Sequence, residues 1–117
     1  MLTVYHNPRC SKSRAALALV AEAGVAHRVV EYLKTPPTED ELDALLRLLD
    51  LEPAEVTRTH EDVWAELGHD RAPPATRTAW LRVLVAHPIL LERPIVSDGR
   101  RAVIGRPPEN VRALLGS

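Results

Sequence analysis

The sequence predicts an α/β fold, with a four-stranded mixed sheet flanked by helices and a helical insertion after the second strand. Three observations lead to this class. A strand-helix-strand pattern opens the chain, a helical stretch occupies its middle, and a strand-turn-strand pattern followed by a helix ends it. A helical crossover makes two strands parallel and a hairpin makes them antiparallel, so the sheet is mixed. The 117 residues, 1–117, fit one domain.

The amino-terminal third contains the first two strands. Residues 2–5, "LTVY", have strand character and end at "HNP", and "SKSRAALALVAEAG" places apolar side chains on one helical face. Gly24 is a stop signal for this helix. Residues 27–33, "HRVVEYL", are rich in β-branched residues and predict a second strand that ends before two prolines.

The middle of the chain predicts several helices. Thr38 followed by Glu41 is a capping-box pattern, which marks a helix start. Four leucines follow at helical spacing, at Leu42, Leu45, Leu46 and Leu49. Short helices are predicted over residues 53–58, 60–67 and 75–86. Residues 69–77 are polar and contain prolines, so a surface connection is expected there.

The carboxyl-terminal part contains the strongest hairpin signal. "RPIVSDGRRAVIGRP" has two apolar runs on either side of an Asp-Gly turn, which predicts an antiparallel pair. A last helix is predicted from Pro108 to Leu115.

Composition limits the function classes. Lys and Arg total 15 and Asp and Glu 16, a net charge of -1, which argues against a general binder of nucleic acid or membrane surfaces. No apolar run approaches the roughly 18 to 20 residues of a membrane span, and no secretory signal is recognised, so a cytoplasmic protein is expected. The one cysteine cannot form an internal disulfide, so redox chemistry would need an external thiol.

That cysteine, Cys10, lies where the first strand gives way to the first helix. Unpaired N–H groups at a helix start favour a thiolate, and Arg9, Lys12 and Arg14 add positive charge. His6 precedes it by four residues and is able to fold back beside the sulfur. Position alone leaves two alternatives open, a reactive thiol and a small buried side chain.

Five segments resemble one known family: "YHNPRCSKSR", "YLKTPPTEDEL", "TRTHEDVWAELG", "HPILLERPIV" and "IGRPPENV". Together they resemble the glutaredoxin-coupled arsenate reductases of the ArsC type, which have a thioredoxin-like fold. The match covers nearly the whole chain. It is nearest to the short members that carry "NPRCSKSR" and "IGRPPE" and lack a longer carboxyl-terminal tail.

The resemblance implies a set of site residues. Cys10 would be the nucleophile, His6 would help to lower its pKa, and Ser13 would assist the thiolate. Pro94 would be a cis-proline facing the cysteine. Three arginines would surround the oxyanion, namely Arg58, Arg93 and Arg106.

The resemblance also implies the chemistry. The Cys10 thiolate would attack arsenate, and the adduct would be reduced to arsenite by glutathione and glutaredoxin. Glutathione would be an external reductant, with no bound cofactor, and a monomer is expected. No metal is predicted, because three histidines lack ligand spacing with each other or with Cys10: His60, His69 and His87.

Three alternatives stay open. "CSKS" has the C-x-x-S form of a monothiol glutaredoxin, which would reduce mixed disulfides without arsenate. Spx-like transcription regulators share the fold, but they typically carry C-x-x-C, and Ser13 stands at the second cysteine position here. A relative that keeps the site residues yet reduces arsenate poorly is the third.

Overall fold

The computed structural model describes residues 1–116. Its strands and α-helices are β1 Leu2–His6, α1 Ser11–Glu22, β2 His27–Glu31, α2 Glu39–Leu49, α3 Asp62–Glu66, α4 Arg77–Ala86, β3 Ile95–Ser97 and β4 Ala102–Ile104. Short 3-10 helices cover Pro53–Val56, Pro88–Leu90 and Pro108–Leu114. The chain divides into two compact units. The sheet unit comprises residues 1–35 and the chain from Arg93 onward, and the inserted unit comprises Pro36–Glu92.

The sheet unit contains all four strands, in the order β2-β1-β3-β4. β1 runs parallel to β2, with His6 opposite Glu31, and antiparallel to β3, with Val4 opposite Val96. β3 and β4 form the antiparallel hairpin. The predicted mixed four-stranded sheet with a helical insertion after the second strand is therefore confirmed.

The core of the sheet unit is aliphatic. Alternate residues of β1 are buried, which is the expected pattern for a strand packed on one face. Helix α1 contributes buried residues of its own to the same cluster. The buried members are Leu2, Val4, Ala16, Val20, Val96, Val111 and Leu114. Close packing of these small side chains compensates for the absence of phenylalanine from the sequence.

Gly105, directly after β4, is the tightest point of this packing. A Cβ at this position would lie 2.8 Å from Cγ of Pro94, 3.1 Å from Cβ of Ala16 and 3.3 Å from Cγ1 of Val111. The Gly105 backbone N–H also donates to the Pro94 carbonyl at 2.8 Å. Only a residue without a side chain lets the backbone approach this closely.

The inserted unit is helical. Its first helix, α2, begins with the predicted capping box, in which the Thr38 hydroxyl accepts from the Glu41 N–H and the Glu41 carboxylate accepts from the Thr38 N–H, both at 3.1 Å. Trp64 stacks on Trp80 with 5.3 Å between ring centroids, so these two rings pack against each other. Across residues 1–116, no helix combines the length and the apolar character that a bilayer span requires.

The structure differs from the prediction at β2 and at the last helix, among other element boundaries. β2 ends at Glu31 and not at residue 33, because the Lys34 and Thr35 N–H groups both donate to the Glu31 carbonyl at 2.9 Å and turn the chain. The last helix is a 3-10 helix over Pro108–Leu114 and not an α-helix. The Asn110 N–H donates three residues back, to the Pro107 carbonyl, which is the hydrogen-bond pattern of a 3-10 helix.

Candidate active site

The loop between β1 and α1 is held by its own polar groups. The Asn7 side-chain oxygen accepts from the Arg9 N–H, and the Asn7 carbonyl accepts from the Cys10 N–H, both at 3.0 Å. The Arg14 guanidinium donates to the Pro8 carbonyl at 2.9 Å. Sequence reasoning missed the role of Asn7, although an asparagine directly after a strand and before a proline is a turn signal.

Cys10 is the N-cap residue of α1 and has an extended backbone, with φ -95° and ψ 123°. Its side chain is half-buried and makes no conventional capping hydrogen bond. Partial burial raises the pKa of the thiol, but the Ser13 and Lys12 backbone N–H groups and the Arg93 guanidinium lower it, and the balance is a lowered pKa. The helix start therefore favours the thiolate, as its position in the sequence predicts.

Two arginines approach the sulfur from the hairpin side of the sheet. Arg106 Nη1 lies 3.7 Å from Cys10 Sγ and 3.4 Å from the Arg93 carbonyl oxygen. Arg93 is only 8% exposed, and it precedes a cis peptide bond to Pro94. The Arg106–Pro107 bond is also cis, which the sequence analysis did not predict. The structure thus brings two of the three predicted arginines to the cysteine.

His6 is hydrogen-bonded to Ser13. His6 Nδ1 lies 2.6 Å from Ser13 Oγ, which also accepts from the Asn7 N–H at 3.0 Å, and both side chains are buried. Burial lowers the pKa of His6, Glu31 opposes this and Arg14 adds to it, so the net shift is downward. The lowered pKa favours a neutral imidazole, which holds the Ser13 hydroxyl in place, and this hydroxyl in turn holds the backbone of the loop through the Asn7 N–H. The predicted effect of His6 on the thiol pKa stays a prediction.

Arg58 belongs to the inserted unit, where carboxylates surround it. Its Nη1 donates to Glu92 Oε1 at 2.9 Å, and its Nη2 lies 3.9 Å from Glu61 Oε1 and 3.1 Å from His60 Nε2. The side chain is 14% exposed. Within its own unit the guanidinium is therefore held as an ion pair, and its role at an oxyanion stays a prediction.

The sequence model of the ArsC family matches residues 5–114. The chain belongs to the ArsC family. This ArsC chain is 48% identical to an arsenate reductase of Neisseria meningitidis over 97% of both chains. It is 44% identical to YfgD of Escherichia coli, which is named an uncharacterized protein, over 97% of this chain and 95% of that one.

The solved structures of ArsC relatives have the same thioredoxin-like fold. An arsenate reductase from Vibrio cholerae superposes with a TM-score of 0.89 at 40% identity, covering 96% of this chain and 95% of that one. The family and the thioredoxin-like fold inferred from the motifs are both confirmed.

The lowered pKa of Cys10 in this ArsC chain gives a testable pH dependence. We expect the midpoint of its alkylation rate with iodoacetamide to lie at a lower pH in the native protein than in the urea-unfolded chain. Because the folded-state pKa lies below the unfolded one, the thiolate stabilises the fold fully above the unfolded value and loses this effect as the pH falls through the folded pKa. The urea-unfolded chain is the control, and a native midpoint at or above the unfolded one would contradict the prediction.

Proposed function

We propose that this ArsC-family protein is an arsenate reductase, in which Cys10 is the nucleophile and glutathione and glutaredoxin supply the reducing thiols. One observation carries the proposal. Cys10 is the N-cap residue of α1, and its sulfur lies 3.7 Å from the Arg106 guanidinium, so a thiol suited to nucleophilic attack and a group suited to binding an anion lie together. The name of the Neisseria relative, arsenate reductase, supports the same reaction.

Charge explains why both groups are needed. Arsenate carries one to two negative charges near neutral pH, so a thiolate that approaches it meets repulsion. Arginine remains protonated and offers a planar fork of N–H donors that can bind two oxygens. Arg93 and Arg106 would hold the oxyanion while the sulfur attacks arsenic.

The first step forms one bond and breaks another. The Cys10 sulfur bonds to arsenic, one As–O bond breaks, and the oxygen leaves as hydroxide or, after taking a proton, as water. Arsenic remains As(V) in this thiol–arsenate adduct. The N–H groups that stabilise the thiolate at the start of α1 would be further donors to an adduct oxygen.

Reduction needs two electrons, and Cys10 alone cannot provide them by forming an internal disulfide, because the chain has no second cysteine. A glutathione thiol would replace a second arsenic-bound oxygen, which leaves as water, and the glutaredoxin thiol would then attack the glutathione sulfur, break the As–S bond and form a mixed disulfide. Two thiols are thereby oxidised to one disulfide, As(V) becomes As(III), and water releases arsenite from Cys10. A reducing cytoplasm is the compartment that supplies both thiols.

Arg58 is assigned the lesser role. We propose that it stabilises the adduct or the reduced arsenic, and its ion pair with Glu92 would have to open or be shared for this purpose. His6 and Ser13 are proposed to act through the loop that holds Cys10, since Ser13 bonds to both His6 and the Asn7 backbone.

The test is arsenite formation from arsenate by the purified protein. We expect turnover with glutathione and glutaredoxin together, and loss of turnover when either thiol is omitted, because each supplies one of the two electrons. Parallel mixtures without the protein measure the background. Absence of arsenite above that background in the complete mixture would overturn the proposed function.

A further inference from the structure

A cavity lies beside the loop between β1 and α1, on the β2 side of β1, whereas Arg93 and Arg106 adjoin β3 and β4. It has a volume of about 320 Å³, within the range of about 300 to 1,000 Å³ typical of small-molecule sites. One wall is the loop after β1 and the other is the turn after β2, both in the sheet unit. The lining residues are His6, Asn7, Pro8, Arg9, Glu31, Leu33 and Lys34.

The position of this cavity follows from the sheet. β1 and β2 are parallel neighbours, with His6 opposite Glu31 at their carboxyl ends. Crevices outside the carboxyl ends of parallel strands are the usual ligand sites of α/β sheets. Arg9 lines the cavity and Cys10 is the next residue along the chain, so this wall of the cavity lies one residue before the thiol. The strand order separates this side from β3 and β4, which lead to the two arginines.

The charges in the cavity have a specific arrangement. Lys34 Nζ lies 3.5 Å from Glu31 Oε1, and both side chains are well exposed, so the pair presents one cation and one anion to a ligand. Arg9, on the opposite wall, is exposed, and its guanidinium makes no hydrogen bond or ion pair within residues 1–116. Leu33, 37% exposed, adds an apolar surface to this rim.

We propose that this cavity is the binding site for the thiol co-substrate, a glutathione-like peptide with two carboxylates and one ammonium group. The Lys34–Glu31 pair would bind the zwitterionic γ-glutamyl end, Arg9 would bind the second carboxylate, and the thiol would face Cys10. The inference rests on the proposed function for its biological role. The cavity then brings the thiol to one side of the sulfur while the oxyanion occupies the other.

A disulfide-exchange reaction tests the site without arsenate. The Cys10 thiolate attacks oxidised glutathione, forms a mixed disulfide with one glutathione and releases the other as a thiolate, so atoms and electrons balance. Bis(2-hydroxyethyl) disulfide undergoes the same exchange with Cys10, but this reagent carries no charged groups and serves as the uncharged comparison. We measure both second-order rates from loss of the single thiol, by mass spectrometry.

We expect Lys34→Glu to slow the reaction with oxidised glutathione about ten-fold at low salt, and Lys34→Gln to slow it less. The rate with bis(2-hydroxyethyl) disulfide should not change. The slowing of the oxidised-glutathione reaction by Lys34→Glu should become smaller at high salt, because salt screens the charges. Lys34 is 79% exposed, so neither variant removes packing from the core.

Arg100→Glu is the matched control, since it makes the same charge change in the exposed turn of the hairpin, at the other end of the sheet. The proposed site would be overturned if Arg100→Glu slowed the reaction with oxidised glutathione as much as Lys34→Glu does. It would also be overturned if Lys34→Glu slowed the reactions with both disulfides equally, or left the rate with oxidised glutathione unchanged. Failure of arsenite formation by the wild-type protein would overturn the proposed function and leave this measurement standing.

Discussion

Replacing Cys10 by serine should reduce arsenite formation to the background of the thiol mixture. A serine hydroxyl at this position stays protonated near neutral pH, so the helix start and Arg93 no longer face an anionic nucleophile. Arsenite is measured with glutathione and glutaredoxin both present.

Two controls separate chemistry from folding in this variant. At an acidic pH, where Cys10 is a neutral thiol and the thiolate contributes nothing to stability, the thermal unfolding midpoint of Cys10→Ser should stay near that of the wild type. Wild-type protein alkylated at its single thiol should lose activity as well. Sustained arsenite formation by Cys10→Ser would exclude the cysteine as nucleophile.

Replacing Arg106 by alanine should lower kcat/KM for arsenate by about 100-fold, the typical loss when one preorganised donor to a transition-state oxyanion is removed. The guanidinium lies 3.7 Å from the sulfur and is exposed, so its removal costs the charge and leaves the core intact. The free energy of unfolding should change by no more than about 0.5 kcal/mol. Steady-state kinetics and urea unfolding measure the two effects.

Arg112→Ala provides the matched control, because Arg112 is an exposed arginine of the 3-10 helix that follows Arg106. This variant should keep its activity. Arg106→Lys should fall between the alanine variant and the wild type, since lysine keeps the charge and loses the planar fork. Wild-type kinetics in Arg106→Ala would remove this residue from the oxyanion site.

The sheet was predictable because its signals are local. Alternation in β1, the β-branched run of β2 and the Asp-Gly turn between β3 and β4 each depend on a few neighbouring residues. Boundaries were less predictable. The apolar pattern of β2 continues to residue 33, but the Lys34 and Thr35 N–H groups both donate to the Glu31 carbonyl and end the strand there. Backbone hydrogen bonds of this kind leave no signal in the hydropathy pattern.

The candidate site was predictable in its residues and not in its contacts. The motif indicates His6, Cys10 and Ser13, yet the pairing of the histidine with the serine depends on burial and on how the loop turns. Arg93 and Arg106 reach the cysteine because β3 pairs with β1 and the hairpin returns the chain to the loop, which is a tertiary effect. The cavity of Glu31 and Lys34 depends likewise on the pairing of β1 with β2.

The division of the sheet unit into two separate chain segments has a consequence for biosynthesis. Cys10 is translated before β3 and β4, and Arg106, whose guanidinium lies 3.7 Å from the Cys10 sulfur, follows 96 residues later. Until β3 emerges from the ribosome, β1 has only β2 as a neighbour, and the cysteine stands on an incomplete sheet. Synthesis of nearly the whole chain therefore precedes the pairing of Cys10 with Arg106, so a nascent chain carries the thiol before it carries this arginine.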